Sequence, residues 1–215
     1  MDEISNAVTL RGTPAGRPRF SHVTRGKEFW VFPLEVRRLS GTADVLNVLA
    51  RKVLLDDLPL DGGSKLSVSG EIRSFRNRTG QGRRLVVAVF ARSLVFEDGP
   101  DANAVTLRGT LCRRPNLRRT PLGREISDLM LAVPRRYGRS DFLPCIVWGR
   151  QAEEAAGLEA GDRVLLTGRM QSRDYVKVLD TGNETRTAYE ISAVSLEVIP
   201  APDGRCPGSP PSPEA

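Results

Sequence analysis

Large aromatic and compact aliphatic side chains alternate in the segment 142–148, Phe-Leu-Pro-Cys-Ile-Val-Trp. Successive side chains of a strand point to opposite faces, so Phe142 and Trp148 share one face. The other face carries Leu143, Cys145 and Val147. The compact residues suit the interior of a small barrel, which leaves the rings outside, where each can stack on an unpaired base for roughly 1–3 kcal/mol. Alternatively, the rings fill a domain interface.

Two tyrosines stand beside arginines. Tyr137 comes directly after Arg135 and Arg136. Tyr175 shares strand parity with Arg169 and Arg173. Sequence-tolerant binding of a single strand requires aromatic rings on which bases can stack. It also requires nearby cations that displace counterions from the phosphates. The alternative is a solvated arginine-rich face on which the tyrosines are half buried for packing.

A further arginine cluster lies in the segment 112–121, which we interpret as the loop after a first strand. Arginines on loops also serve solubility alone. Across the chain, the residues that we predict to contact phosphates are Arg113, Arg118, Arg119, Arg135, Arg136, Arg150, Arg169 and Arg173.

Residues for catalysis are scarce. The sole histidine, His22, falls in a predicted exposed loop, and the cysteines are Cys112, Cys145 and Cys206, without metal-ligand spacing. Cys145 has core parity and is expected to be an inert buried thiol. Phosphate-cradling glycine motifs are absent from the sequence. We therefore expect a protein that is not an enzyme and that uses no metal and no cofactor.

The chain repeats itself. Residues 6–13, Asn-Ala-Val-Thr-Leu-Arg-Gly-Thr, recur identically as 103–110, a period of 97 residues. That period is close to the size of one small domain, so each copy is expected to enclose its own core. The polar connector 97–102 is short, which predicts two domains that sit close together.

Alternating apolar positions separated by Gly, Pro and Asn clusters predict short strands in both copies. The strands expected in the first copy are 8–13, 29–36, 45–53, 66–75 and 85–96. Those of the second copy are 105–112, 126–133, 142–148, a strand from 164 to 179, and 186–199. A helix is expected at 150–156 after the third strand, whereas Pro59 leaves a loop or a single turn in the first copy. Five strands with one helix after the third describe an OB-fold, a five-stranded Greek-key barrel.

The first copy lacks most of the aromatic surface. It has Leu39, Val45 and Ala50 or Arg51 where the second has Tyr137, Phe142 and Trp148. Trp30 and Phe32 are expected to pack in its core. A residual contact surface in the first copy consists of Phe75, Arg73 and Arg76.

The formal net charge of +6 is spread over both copies, which is compatible with phosphate binding without proving it. The sequence has no run of about 18 apolar residues and no basic-then-apolar leader, so we expect no membrane association. An odd number of cysteines fits a reducing cytoplasm. The segment 201–215 is rich in Pro, Gly and Ser and is expected to be disordered.

The second copy contains an ordered series of motifs, namely Asn103-x-Val105-x-Leu107-x-Gly109, 115–123, 141–153 and 168–175. In these residues it resembles the bacterial single-stranded DNA-binding protein family. It implies a cytoplasmic OB-fold protein that coats single-stranded DNA in replication, recombination and repair, with base-stacking aromatics at Tyr137, Phe142, Trp148 and Tyr175. Because the family commonly works with four OB-folds, it also implies a homodimer.

The resulting interpretation is a diverged OB-fold at 1–100, a single-strand-binding OB-fold at 101–200 and a tail at 201–215. Recruitment of other proteins through an acidic C-terminal tip, known in the family, is not expected, because 210–215 reads Pro-Pro-Ser-Pro-Glu-Ala. The competing hypothesis is an OB-fold protein-interaction adaptor of the primosome type, in which the same aromatics bury against a partner.

Overall fold

The computed structural model describes residues 5–56, 58, 63–77, 85–179 and 182–200. Within them the backbone is almost entirely β-strand, which confirms the all-β prediction. The predicted tail 201–215 lies outside the described residues, and so does Pro59, at which a loop or a single turn was expected.

Six strands form the first half of the chain. They are β1 Asn6–Pro14, β2 Arg19–Thr24, β3 Lys27–Arg37, β4 Ala43–Arg51, β5 Leu66–Arg76 and β6 Leu85–Phe96. Strand β1 pairs antiparallel with both β3 and β5, β3 pairs with β4, β4 runs parallel to β6, and β6 returns to β5. This closed order is the predicted OB-fold barrel. A 3-10 turn at Lys52–Leu54 stands where the second copy has a helix.

The second half repeats this order. Its elements are β7 Ala102–Leu111, β8 Asn116–Arg119, β9 Glu125–Pro134, β10 Ser140–Trp148, α1 Arg150–Ala155, β11 Arg163–Leu179 and β12 Gly182–Ile199. Strand β9 pairs with β7, β8 and β10, and β10 runs parallel to β12. Strand β11 lies between β7 and β12. The chain therefore holds two OB-folds, as predicted.

The barrel interiors follow the alternation in the sequence. Leu143, Cys145 and Val147 of β10 are at most 1% exposed, as predicted, and Phe32 fills the first barrel. Ile146 departs from the pattern, because it is buried although its parity places it outside. The prediction that Trp30 packs in the core is wrong: it lies opposite Phe20 on the adjacent strand and is half buried.

Two glycines at matching positions of β5 and β11 allow each strand to approach the backbone of the neighbouring strand closely. A Cβ on Gly70 of β5 would lie 2.2 Å from the carbonyl oxygen of Phe90, and one on Gly168 of β11 would lie 2.2 Å from that of Ser192. No real Cβ tolerates such a distance, so only glycine fits here.

Two short strands were not predicted from the sequence. Strand β2 contains His22, which was expected in a loop, and β8 lies within the predicted arginine-rich loop. Both are edge strands, and none of their residues is buried. Without a core face they show no hydrophobic alternation, which is the signal by which strands are predicted.

Contacts divide the chain into two compact units. The N-terminal unit comprises Asn6–Val105 and the hairpin segment Arg169–Glu190, and the C-terminal unit is built around Thr106–Gly168 and the segment that begins at Ile191. The six residues of α1 make it the longest helix in the described part of the chain, far short of the roughly 20 residues needed to cross a bilayer.

Candidate nucleic-acid interface

Strand β10 of the C-terminal unit exposes two aromatic rings on one face. Phe142 is 49% exposed and Trp148 is 38% exposed, while the residues beside them, Asp141 and Val147, are fully buried. Trp148 lies six positions after Phe142, which corresponds to roughly 20 Å along the strand. The indole Nε1–H of Trp148 donates to the Ser192 hydroxyl at 3.2 Å, which restrains the ring orientation. This face of β10 therefore presents two separate exposed rings.

Tyr137 lies at the tip of the loop between β9 and β10. It is 93% exposed, and its φ of +66° places it in the left-handed region that bulky side chains rarely adopt. The backbone N–H of Arg135 donates to the Arg139 carbonyl at 2.7 Å and closes the loop beneath it. The loop therefore presents this ring to solvent at a conformational cost, which is common at functional sites.

A buried ion pair holds this loop. The Arg135 guanidinium donates from Nε and Nη2 to the two carboxylate oxygens of Asp141, which is fully buried. The first copy has the same pair 97 positions earlier: Arg38 donates to Asp44 at 2.7 and 2.6 Å. The hydrogen bonds to Asp44 raise the pKa of Arg38 despite its partial burial. Arg135 thus has a structural partner, and its phosphate contact stays a prediction.

Three other predicted phosphate ligands also have acidic partners. Arg118 donates to Asp128 at 2.5 and 3.1 Å. Arg119 reaches Glu125 at 2.8 Å, and Arg150 reaches Glu154 at 2.9 Å. These pairs are solvent-exposed and of the kind worth about 0–1 kcal/mol, so a phosphate can compete for the guanidinium groups. Arg113 is exposed, and the structure describes no side chain for Arg136.

Glu125 has a second partner on helix α1. Its carboxylate hydrogen-bonds the Glu153 carboxyl in addition to the Arg119 guanidinium. This contact, followed by the Arg119 bond, lowers the pKa of Glu125, and the same contact raises the pKa of Glu153. The acidic partner of Arg119 therefore stays charged when Glu153 takes up a proton.

Tyr175, Arg169 and Arg173 lie on the part of β11 that belongs to the N-terminal unit. Tyr175 is half buried and forms a side-chain hydrogen bond with Arg186, which also donates to Glu184 at 2.6 Å. Arg173 is exposed. The Nε of Arg169 is buried without a hydrogen-bond partner among the described residues. The sequence grouped these residues correctly on one hairpin, whereas their joint action with β10 stays a prediction.

The residual surface predicted in the first copy is partly occupied. Phe75 is 36% exposed and Arg76 is exposed, but Arg73 forms an ion pair with Glu71. The Arg73 guanidinium also lies 5.8 Å from the ring centroid of Phe90, a residue that the sequence analysis did not single out.

Phe90 takes the place that Ser192 has in the second copy. In the parallel pairings, Leu49 lies opposite Phe90 and Ile146 lies opposite Ser192. The Phe90 ring packs on Phe29 at 5.8 Å between centroids, with the Arg92 guanidinium 5.4 Å away. In the last strand of each copy the two repeats align at an offset of 102 residues, and at this offset the sequence places Phe90 opposite Ser192 in the alignment.

His22 and Cys145 make packing contacts within the fold. The His22 ring stacks on Phe29 with centroids 5.0 Å apart. Cys145 is buried and its thiol lies 3.6 Å from the Leu143 carbonyl oxygen, whereas Cys112 is exposed. Across the described residues, no group of three or more His, Cys, Asp or Glu side chains is placed to hold a metal ion.

Comparisons with known proteins show the family of the chain. The profile of the Single-strand binding protein family matches residues 102–199. A single-stranded DNA-binding protein of Halalkalibacterium halodurans is 36% identical over 106 residues, which cover 45% of this chain and 60% of that protein. Single-stranded DNA-binding protein 3 of Listeria innocua is 34% identical over 116 residues, which cover 50% of this chain and 69% of the relative.

Coverage differs between the sequence relatives and the solved structures. The chain spans 55 to 64% of the length of three curated relatives. The crystal structure of the single-stranded DNA-binding protein from Thermus aquaticus superposes with a TM-score of 0.73 at 26% identity, over 96% of this chain and 98% of that one. Both copies are thus covered by the structural match, and the second also by the profile. The chain belongs to the single-strand binding protein family.

Proposed function

We propose that this chain binds single-stranded DNA without sequence preference and without any chemical step. The observation that carries the proposal is the pair of exposed rings, Phe142 and Trp148, on one face of a barrel strand. Every base has a flat face, so stacking on such rings tolerates any sequence. Tyr137 and Tyr175 complete the proposed set of stacking residues.

Arginines supply the second part of the affinity. The proposed phosphate contacts are Arg113, Arg118, Arg119, Arg135, Arg136, Arg150, Arg169 and Arg173. Each neutralised phosphate releases counterions, so the binding constant should fall steeply with salt, with a slope of about −0.7 per contact for a single strand. Arg113 and Arg173 are the exposed members with no acidic partner in the described part of the chain, which makes them the first residues to test.

The wider assignment belongs to the same proposal. Residues 1–100 and 101–200 form the two OB-folds, with most of the DNA contact on the second, and the boundary is supported by the end of β6 at Phe96 and the start of β7 at Ala102. A homodimer that presents four OB-folds in the cytoplasm would act in replication, recombination and repair. The mass in solution, with and without oligo(dT), tests the assembly.

Trp148 allows a direct test of the C-terminal surface. Because the chain has two tryptophans, Trp30→Phe leaves Trp148 as the sole indole. We expect oligo(dT) to quench its fluorescence, with a strong salt dependence. In the otherwise wild-type chain, Trp148→Ala should weaken oligo(dT) binding about 5- to 150-fold, the equivalent of one lost stacking contact.

Val198→Ala is the matched control, because it shortens an exposed apolar side chain on β12 far along the strand from Ser192. It should bind like the wild type. Unchanged affinity of Trp148→Ala would contradict the assigned surface. Failure of the wild type to bind DNA, together with a stable complex with another protein, would support the adaptor hypothesis instead.

A further inference from the structure

The β2–β3 hairpin of the N-terminal unit carries an aromatic pair, the exposed Phe20 and the half-buried Trp30, that lies outside the predicted sites. Phe20 is 56% exposed, and its ring meets the Trp30 indole edge to face with centroids 6.0 Å apart. A register shift between Phe20 and His22 bends the edge strand at this point. Bulges of this kind re-aim side chains and are frequent near binding sites.

The same hairpin has an excess of positive charge. Residues 17–30 contain four basic side chains and one acidic one, a formal net charge of +3 with His22 neutral. The basic residues are Arg17, Arg19, Arg25 and Lys27, all exposed, and none forms an ion pair with a described residue. The single carboxylate, Glu28, accepts from Trp30 Nε1 at 3.3 Å and lies 3.9 Å from Lys52.

The corresponding hairpin of the second copy is different. There Leu117 replaces Phe20, and the arginines of β8 are neutralised by carboxylates of β9, as Arg118 is by Asp128. The position of Asp128 is Val31 in the first copy. The fold of the hairpin therefore does not require the aromatic pair, because the second copy forms it without one, and both arginines of its strand β8 have carboxylate partners.

Backbone strain points to the same place. Tyr137 and Arg25 are the two non-glycine residues with positive φ among those described. Arg25, with φ of +51°, and Gly26 form the two-residue turn that joins β2 to β3, and such turns favour Asn or Asp followed by Gly. An arginine at this position costs conformational energy and places a cation at the tip of the hairpin.

We infer that the β2–β3 hairpin is a second contact surface for single-stranded DNA, on which Phe20 stacks a base beside Trp30 while Arg17, Arg19, Arg25 and Lys27 meet the phosphates. The inference rests on the proposed function. It assigns the first OB-fold a direct contact in addition to its scaffold role. The loop between the first two barrel strands borders the ligand face of OB-folds, which makes this position suitable.

Trp30 provides the test. In a Trp148→Phe variant, which keeps an aromatic ring at 148, Trp30 is the only tryptophan. We expect oligo(dT) to quench its fluorescence, and we expect Phe20→Ala in this background to reduce both the quenching and, about 5- to 50-fold, the affinity. The double variant Arg19→Ala, Lys27→Ala should reduce the salt slope by about 1.4, corresponding to two lost phosphate contacts.

Val95→Ala, which shortens an exposed side chain on β6 of the same barrel, is the control and should leave affinity and quenching unchanged. Thermal unfolding of each variant checks that the fold is kept. Wild-type affinity of Phe20→Ala with no Trp30 response would overturn this inference while the proposed function stands, and would direct attention to a protein ligand for the hairpin. No binding by the wild-type chain, with Trp148 also silent, would overturn both.

Discussion

At the residue scale, the two copies use identical side chains as internal clamps. Asn6 donates from Nδ2 to the Ile72 carbonyl at 2.7 Å and accepts from the Ile72 N–H at 2.8 Å. Asn103 makes the same two bonds to Met170, at 2.7 and 2.9 Å. The asparagine side-chain amide thus makes the pair of hydrogen bonds that a backbone peptide group of a neighbouring strand would make. The asparagine at the start of the repeated octapeptide therefore connects β1 to β5 in the first copy and β7 to β11 in the second.

Replacement of this amide should destabilise the fold. Asn103→Ala leaves the N–H and C=O of the fully buried Met170 without partners, at roughly 1–3 kcal/mol per group. We expect the free energy of unfolding to drop by that order, as measured by urea denaturation. Asn116→Ala, at an exposed position on β8, serves as the control and should be nearly neutral. Equal stability of the two variants would contradict the clamp.

The element scale separates the edges of the barrels from their interiors. Interior strands alternate visibly because one face is buried, and their bounds agree with the sequence prediction to within a few residues. The edge strands β2 and β8 have no buried residues and emerge only from pairing with β3 and β9. These edges carry the exposed Phe20 in one copy and ion-paired arginines in the other, so the copies differ at strands on which packing imposes little constraint.

The close approach of β11 and β12 predicts that an alanine at position 168 destabilises the fold. Gly168→Ala would force a Cβ to 2.2 Å from the Ser192 carbonyl oxygen, and the strands would have to separate. We expect a loss of at least about 1–3 kcal/mol in unfolding free energy. Because Ser192 also bonds the Trp148 indole, oligo(dT) affinity should fall as well.

Gly157→Ala is the matched control for this variant. The nearest atom to a Cβ there is the Glu154 carbonyl oxygen at 3.5 Å, an ordinary contact, so stability should be unchanged or slightly raised by the lower entropy of the unfolded chain. If both alanine variants unfolded at the same urea concentration, the argument from strand separation would be refuted.

At the scale of the whole molecule, the connector between the copies is bound to the N-terminal unit. Arg11 donates from Nε to the Pro100 carbonyl at 2.7 Å and pairs with Glu97 at 3.1 Å. Asp101 pairs with Lys65 and accepts from the Arg37 backbone N–H at 2.6 Å. Composition alone described this segment as a polar linker, whereas its contacts make it part of the first barrel.

The connector predicts a pH dependence. Burial disfavours the charged form of Asp101, but the Lys65 ammonium and the Arg37 N–H outweigh it and lower the pKa of Asp101 below its usual value. A lowered folded-state pKa contributes stability that is present above about pH 4 and is lost as the pH falls through the folded value. Asp101→Asn should therefore flatten the fall of unfolding free energy in acid.

Urea unfolding at several pH values between about 7 and 3 measures this effect. Asp98→Asn, at an exposed position of the same connector, is the control and should reproduce the wild-type acid dependence. An acid dependence of Asp101→Asn identical to that of the wild type would refute the role of the carboxylate in anchoring the connector.

The two barrels, the buried faces and the outward direction of Phe142 and Trp148 were predictable from the sequence, because strand side chains alternate with a period of two and residues 6–13 recur identically as 103–110. The contact partners of individual side chains were not predictable. The Arg135–Asp141 pair, the ring of Phe90 in the place of Ser192 and the half-exposed Trp30 depend on neighbours that are distant in sequence. A linear pattern records which face a side chain takes, but it does not record what lies opposite, and that is set by strand pairing.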